Sequence, residues 1–345
     1  MSNTITRRAF GASTAAVLAA PLAAPFIRRA DAAAPIELRC SLDTAPSHPR
    51  NVAVRDFLGK VEAASNGQIT TKLFESGSLF PDLQVVKALV QGQVEMACPG
   101  TWTITGFVSD ADFSQLPALY GRPIDVVHKA TDGKGGKFVN QEITDKLHVE
   151  VLGSWFDLGF NNWFSTRKPL NSLADLAGMK LRSPGGVLNS FRIRFFGGIP
   201  NVTAWPDVPL AMSQGTFDGL ISSNESTRSS KLYDSGMRYS LQDRQGMGLY
   251  VPMVNQAFWT KAGPKMQETM LKLWSDNLPG WRANSAKSQD SARVELTQHD
   301  VKFVDVSQAE LDTVHAKIVQ EQDKAVADAH ISPELVKLVM ADVGV

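Results

Sequence analysis

The sequence predicts a two-lobed α/β fold, and three observations carry that expectation. The chain has 345 residues, whereas a single hydrophobic core stops growing near about 250–300 residues, so two cores are the default. From Ile36 onward, β-branched runs alternate with amphipathic segments in the strand–helix–strand rhythm that gives right-handed crossovers and a largely parallel sheet. Late in the chain one helical pattern runs from Pro264 to Leu296, long enough to lie across both lobes.

Residues 1–32 differ in kind from the rest. Arg7 and Arg8, in Thr6-Arg7-Arg8-Ala9-Phe10-Gly11, precede an alanine-rich apolar run over residues 12–27. Ala30-Asp31-Ala32 then supplies small residues where a signal peptidase reads. Paired arginines ahead of a weakly apolar stretch match a twin-arginine export signal, which implies a periplasmic destination. The segment is short for a membrane anchor, which needs about 20 apolar residues, and no later stretch reaches that length. Cleavage after Ala32 removes Arg7, Arg8, Arg28, Arg29 and Asp31 and leaves a slightly acidic, soluble chain.

Strand alternation begins at Pro35-Ile36-Glu37-Leu38-Arg39-Cys40. Residues 51–65 place Val54, Phe57, Leu58 and Val61 on one helical face, and Asn66-Gly67 stops the helix. A strand at 69–74, a helix at 81–91 and a strand at 94–98 follow. After a helical stretch over 125–144 the rhythm restarts with a strand at 149–156. A second sheet begins at 161–166, then come a short helix at 173–176 and a strand at 180–182 broken by Pro184-Gly185-Gly186. Helices at 188–196 and 209–214 alternate with strands at 201–204 and 217–221, and the chain returns to the first sheet through 248–255. The long helix is expected to kink at Pro279-Gly280. A strand at 301–304 and helices at 308–329 and 333–342 close the sequence. This order divides the chain into a first lobe of residues 33–157 plus 247–281 and a second of 158–246 plus 282–345.

Charge and motif content exclude several functions. The 35 basic and 35 acidic residues balance, and no cluster of lysine and arginine forms a nucleic-acid footprint. The six histidines are scattered singly, without metal-ligand spacing. There is no G-x-S-x-G elbow or P-loop, and Gly133-Lys134-Gly135-Gly136 lacks the context of a dinucleotide fingerprint. No cofactor is expected. Cys40 and Cys98 fall in apolar strand-like segments, as a bridge or as two buried thiols.

What remains is a set of polar and aromatic residues at strand ends. Arg182 closes a short strand, and ligand crevices in open α/β sheets lie outside such carboxyl ends. There a guanidinium can grip a carboxylate with two parallel hydrogen bonds; a surface salt bridge is the other reading of the residue alone. Trp102, Phe156 and Trp205 fall near strand ends, as cleft walls or as core. Asn161, Asn162 and Asn224 offer neutral hydrogen bonds or turn formation, and Ser222 sits at the end of the 217–221 strand.

Several motifs recur in a fixed order: His48-Pro49, Asn66-Gly67-Gln68-Ile69, Gly77-Ser78-Leu79, Ala88-Leu89-Val90-Gln91-Gly92-Gln93-Val94-Glu95-Met96-Ala97 and Leu116-Pro117-Ala118-Leu119-Tyr120. The most specific runs from Lys168-Pro169-Leu170 to Gly178-Met179-Lys180-Leu181-Arg182-Ser183-Pro184, and Gln214-Gly215-Thr216-Phe217-Asp218-Gly219 completes the set. In this series the chain resembles the substrate-binding component of tripartite ATP-independent periplasmic (TRAP) transporters, the family named for four-carbon dicarboxylate uptake. The resemblance implies a type II-like periplasmic binding protein with two lobes, a hinge, a central ligand cleft and a long kinked helix spanning both lobes. It implies a small organic carboxylate ligand, and small and large integral-membrane subunits driven by an ion gradient. It places Arg182 at the motif arginine that pairs with the substrate carboxylate. The expected ligand-binding set is Arg182, Asn161, Asn162, Trp102, Phe156, Trp205, Ser222 and Asn224. Two departures stand out: Asn161 occupies the place of a second arginine, and the usual Asp-Gly-Gln-Glu-Asn run reads Asp218-Gly219-Leu220-Ile221-Ser222-Ser223-Asn224-Glu225. Losing a cation favours a monocarboxylate, such as a keto, hydroxy or aromatic acid. The rival class is an exported α/β hydrolase or lyase acting on organic acids, for which no nucleophile–base pair is visible.

Overall fold

The computed structural model describes residues 34–344, so the expected export signal at 1–32 lies outside the described residues. In chain order the elements are β1 (Ile36–Ser41), α1 (Pro49–Ala64), β2 (Ile69–Phe74), α2 (Asp82–Val90), β3 (Met96–Ala97), α3 (Thr101–Ile104), α4 (Ile124–Asp132), α5 (Lys134–Leu147), β4 (Val149–Val151) and β5 (Phe156–Ser165). There follow β6 (Lys180–Ser183), α6 (Val187–Phe195), β7 (Ile199–Val202), α7 (Val208–Ser213), β8 (Gly219–Ser222), α8 (Asn224–Ser229), β9 (Tyr239–Tyr250), β10 (Met253–Asn255) and α9 (Gln256–Gln298). The last are β11 (Lys302–Asp305), α10 (Gln308–Ile318), α11 (Gln322–Ala329) and α12 (Pro333–Val343).

These elements form two sheets, one for each lobe. The first has the order β2-β1-β3-β10-β4 and the second β11-β9-β5-β8-β6-β7. In the first, β10 alone runs antiparallel to its neighbours. In the second, β5 does the same, against β8 on one side and β9 on the other. Each reversed strand follows from the chain crossing between the lobes. The crossing strands are β5 and β9. Phe156, Leu158 and Tyr250 belong to a core that also holds α1 and β1 residues, while Trp163 and Leu241 lie in a core built on β6 and β8.

The structure differs from the sequence expectation in several places. A single strand, β5, replaces the end of the 149–156 strand and the separate 161–166 strand, because every residue from Phe156 to Ser165 except Phe160 is buried. Turn residues such as Gly159 and Asn161 therefore sit inside a strand. The 125–144 helix is two helices separated at Gly133, where a Cβ would lie 2.2 Å from the Lys129 carbonyl oxygen. The long helix is preceded by a break at Gly263, whose φ of 75° is non-helical, and α9 as a whole begins earlier than expected, at Gln256; Pro279 lies inside it with helical φ and ψ. The C-terminal segment is shared rather than wholly part of the second lobe: Leu311 and Ile318 of α10 join the second-lobe core. Ala325, Ala329, Leu335 and Val339 of α11 and α12 instead pack with Val127 and Val139 of α4 and α5. Cys40 and Cys98 are both buried free thiols. No described helix is long and apolar enough to cross a membrane.

Candidate functional site

Strand β6 is short because both of its ends are fixed by sequence. Asp218 accepts a hydrogen bond from the Lys180 backbone N–H at 2.9 Å. Beyond Pro184, Gly185 and Gly186 take φ values of 115° and 77°, a region that L side chains rarely adopt. A Cβ on Gly186 would also stand 2.6 Å from the Asp112 carboxylate. The turn brings Arg182 to the carboxyl end of the second sheet, facing the loop after β1.

There a cavity opens between the lobes. Its walls include Asp43 and Thr44 after β1, Asp82 at the start of α2, Trp102 on α3, Asn161 on β5, Arg182, Trp205, Ser222 and Tyr250. The empty volume is about 330 Å³, and the space open to a water-sized sphere is little more than a water molecule needs. A ligand must therefore be small, or enter while the lobes stand apart.

Arg182 is 2% exposed. Its Nε donates to the Thr203 carbonyl at 3.0 Å, and its guanidinium carbon lies 5.2 Å from the Trp205 ring centre. Among the described residues it has no ion-pair partner. Burial pulls its pKa down to about 10, with Asp82, Asp43 and Tyr250 opposing, so it stays charged at neutral pH. A desolvated cation without a contacting anion costs free energy that an incoming anion recovers.

The second buried arginine is already engaged. Arg50 pairs with Asp43 at 2.7 Å, donates to Thr44 Oγ1 at 2.7 Å and to the Cys98 carbonyl at 3.0 Å, and lies 3.9 Å from the Tyr250 ring centre. Two further donors in the cavity have no partner: Asn161 Nδ2 and Trp102 Nε1 are buried and make no hydrogen bond. Buried polar atoms are normally satisfied, so these two join Arg182 in presenting unfilled donors to one small space.

Asp82 stands among them. It is 4% exposed, and its Oδ1 accepts the Trp205 backbone N–H from the other lobe at 3.0 Å. Burial and the neighbouring Asp43 push its pKa up to about 7, against the pull of Arg182. A second contact across the cleft joins His48 Nε2 to Ser226 Oγ at 3.1 Å. Because His48 Nδ1 accepts the Arg50 N–H at 3.2 Å, Nε2 is the donor. Burial, with Arg50 and Arg228 nearby, holds this imidazole well below its ordinary pKa and hence neutral.

Of the sequence-derived set, Arg182, Asn161, Trp102, Trp205 and Ser222 come together at this cavity. Phe156 does not line it; the ring is 1% exposed and packs in the core behind Leu158 and Tyr250. Asn162 and Asn224 face a different hollow with Gln242, Arg244 and Gln289. Asn161 and its neighbour Asn162 thus serve different hollows, as successive strand residues on opposite faces do. The hollow at Asn162 is larger, about 770 Å³, but its amides already have protein partners. Asn162 Oδ1 accepts the Arg244 N–H at 3.0 Å, and Asn224 and Gln242 exchange bonds of 3.0 and 3.1 Å. Sequence reasoning missed Asp43, Asp82 and Tyr250. Asp43 follows the carboxyl end of β1, the same signal that found Arg182.

The family described as bacterial extracellular solute-binding protein, family 7, matches residues 41–328. The chain is 26% identical over 257 residues to the C4-dicarboxylate-binding periplasmic protein DctP of Rhodobacter capsulatus, covering 74% of each. The crystal structure of the sugar acid binding protein DctPAm from Advenella mimigardefordensis, in complex with galactonate, superposes with a TM-score of 0.83 at 21% identity, covering 90% of this chain and 98% of that one. A TRAP periplasmic solute binding protein from Ralstonia eutropha with bound (S)-2-acetolactate gives 0.81 at 23%, covering 89% and 98%. At these identities the structural likeness concerns the fold.

Proposed function

We propose that this chain, which belongs to family 7 of the bacterial extracellular solute-binding proteins, captures a small organic monocarboxylate between its lobes on the Arg182 guanidinium. The observation that carries this reading is a buried cation at the cleft that forms no salt bridge among the described residues, with Asp82 and Asp43 offsetting its charge only from a distance. Asn161 Nδ2 and Trp102 Nε1 complete the carboxylate's hydrogen bonds. Arg50 is held by Asp43 and offers no second anion site, which supports one carboxylate rather than two. Galactonate and acetolactate, bound by two structural neighbours, each carry a single carboxylate, whereas the Rhodobacter capsulatus relative is named for C4-dicarboxylates, so the reading rests on the residues of this cleft.

The chain is a binding protein and not an enzyme. We assign it a twin-arginine export signal at 1–32 and delivery of ligand to the small and large membrane subunits of a TRAP transporter. The lobes divide where β5 and β9 cross, near residues 157–158 and 246–247, and those strands serve as the hinge. Binding favours the closed arrangement because the ligand touches both lobes.

A micromolar ligand corresponds to roughly 8 kcal/mol, of which one charge-assisted contact supplies about 1.5–3 kcal/mol. Arg182→Ala should therefore lower affinity more than about tenfold, or about 1.4 kcal/mol, with the circular dichroism of the folded chain unchanged. Calorimetric titration with an acid that raises the wild-type melting temperature checks this. A smaller loss contradicts the assignment.

A further inference from the structure

The acidic side of the cleft is not explained by carboxylate capture. Arg50 and Asp43 cancel as an ion pair. That leaves Arg182 and Asp82, which line the same cavity without touching. When a carboxylate settles on Arg182, the Asp82 charge loses the counter-charge that partly offsets it. Among the described residues, the one protein hydrogen bond to its carboxylate from outside its own helix comes from the Trp205 N–H. A desolvated carboxylate facing another carboxylate is unfavourable unless a donor lies between them.

The ligand itself can supply that donor. We infer that Asp82 is the specificity-determining residue of the cleft, accepting a hydrogen bond from a hydroxyl or ammonium group beside the ligand's carboxylate. The ligand is then a 2-hydroxy or 2-amino acid rather than a 2-oxo acid. Arg182 and Asp82 line the same small cavity, and in a small acid held by its carboxylate on Arg182 the donor that reaches across to Asp82 is the one on the carbon next to the carboxylate. Where Asp82 is ionised, above its raised pKa of about 7, a 2-oxo acid places a carbonyl oxygen there, acceptor against acceptor. A site built to accept from a ligand hydroxyl discriminates strongly against an analogue without one. This inference rests on the reading of Arg182 as the carboxylate receptor and adds what lies opposite it.

Calorimetric titration of the purified chain at pH 8 tests it with matched sets: lactate, alanine and pyruvate; 2-hydroxyisocaproate, leucine and 2-oxoisocaproate; mandelate, phenylglycine and phenylglyoxylate. In the set that binds, the hydroxy or amino member should exceed the oxo member by at least about tenfold, or about 1.4 kcal/mol. Asp82→Asn should reduce that ratio to about threefold or less, because an amide also donates to a carbonyl. An oxo acid bound as tightly as its partners, or a preference unchanged in Asp82→Asn, overturns the inference. Should the variant fail to fold, the wild-type ratio alone decides. Failure at Asp82 leaves carboxylate binding dependent on Arg182, whereas failure of the underlying reading appears as no binding in any set, or binding undiminished in Arg182→Ala, and removes this inference with it.

Discussion

Arg182 and Asp82 are both nearly inaccessible to water, and burial moves the two in opposite senses. The guanidinium, pulled down to about 10, remains a cation at any physiological pH. The carboxyl, pushed up to about 7, is poised to change charge. An unfolded aspartate titrates near about 3.9, so between that value and 7 the folded chain binds a proton that the unfolded chain releases. Asp82 therefore destabilises the folded state progressively as the pH rises through 7 and imposes no penalty below about 4. Asp82→Asn keeps an acceptor for the Trp205 N–H and removes the charge. We expect it to unfold in urea with a free energy higher than wild type by on the order of 2 kcal/mol at pH 8, the gap closing toward pH 4. A gap that is constant with pH contradicts the assignment. Residues of this kind divide sharply in how legible they are from sequence. Arg182 announces itself by position, since a strand stopped by Pro184-Gly185-Gly186 leaves the side chain at a sheet's carboxyl end. Asp82 carries no such mark, because an aspartate at a helix start is an ordinary favourable interaction with the helix dipole. Only the approach of Trp205 from the other lobe makes it unusual.

At the scale of elements, the lobes meet through helix starts and turns. His48 caps α1 and donates to Ser226 on α8, and Asp82 at the start of α2 accepts from Trp205. Both bonds exist only while the lobes are together, so they weigh on the open–closed equilibrium rather than on folding of either lobe. Ser226→Ala removes one net hydrogen bond, about 0.5–1.5 kcal/mol. Affinity should fall by about two- to tenfold while the urea midpoint moves little, and affinity equal to wild type contradicts the latch. The helices α1, α2 and α6 were readable from apolar spacing and stop signals within a residue or two. Strand β5 was not, because the mature ends of two expected strands and the glycine between them fuse only when β8 and β9 pair on either side. The first part of β9, at Tyr239–Met247, was unread for a related reason: Gln242, Asp243, Arg244 and Gln245 look like a loop. They are tolerated in a strand because Asp243 accepts from Tyr120 and Trp163 at 2.7 Å each, and Gln245 accepts from Arg192 at 3.2 Å.

For the molecule as a whole, two sheets with one reversed strand in each, bridged by β5, β9 and the long α9, make a jaw whose gape is lined by unfilled donors. Chain length and the alternation of elements were enough to foresee two α/β lobes. The ordered motifs from His48 to Gly219 were enough to foresee the family. The sharing of the C-terminal helices between lobes was not foreseeable, since the amphipathic faces of α10 and α12 fit either core and only the fold selects. Carboxylate capture at Arg182 inside this jaw is decided by a crystal structure of the chain with its bound acid. We expect the ligand carboxylate within about 3 Å of the terminal nitrogens of Arg182, with Asn161 and Trp102 donating to the same ligand. A carboxylate bound elsewhere in the cleft, with Arg182 still contacting only protein, would contradict it.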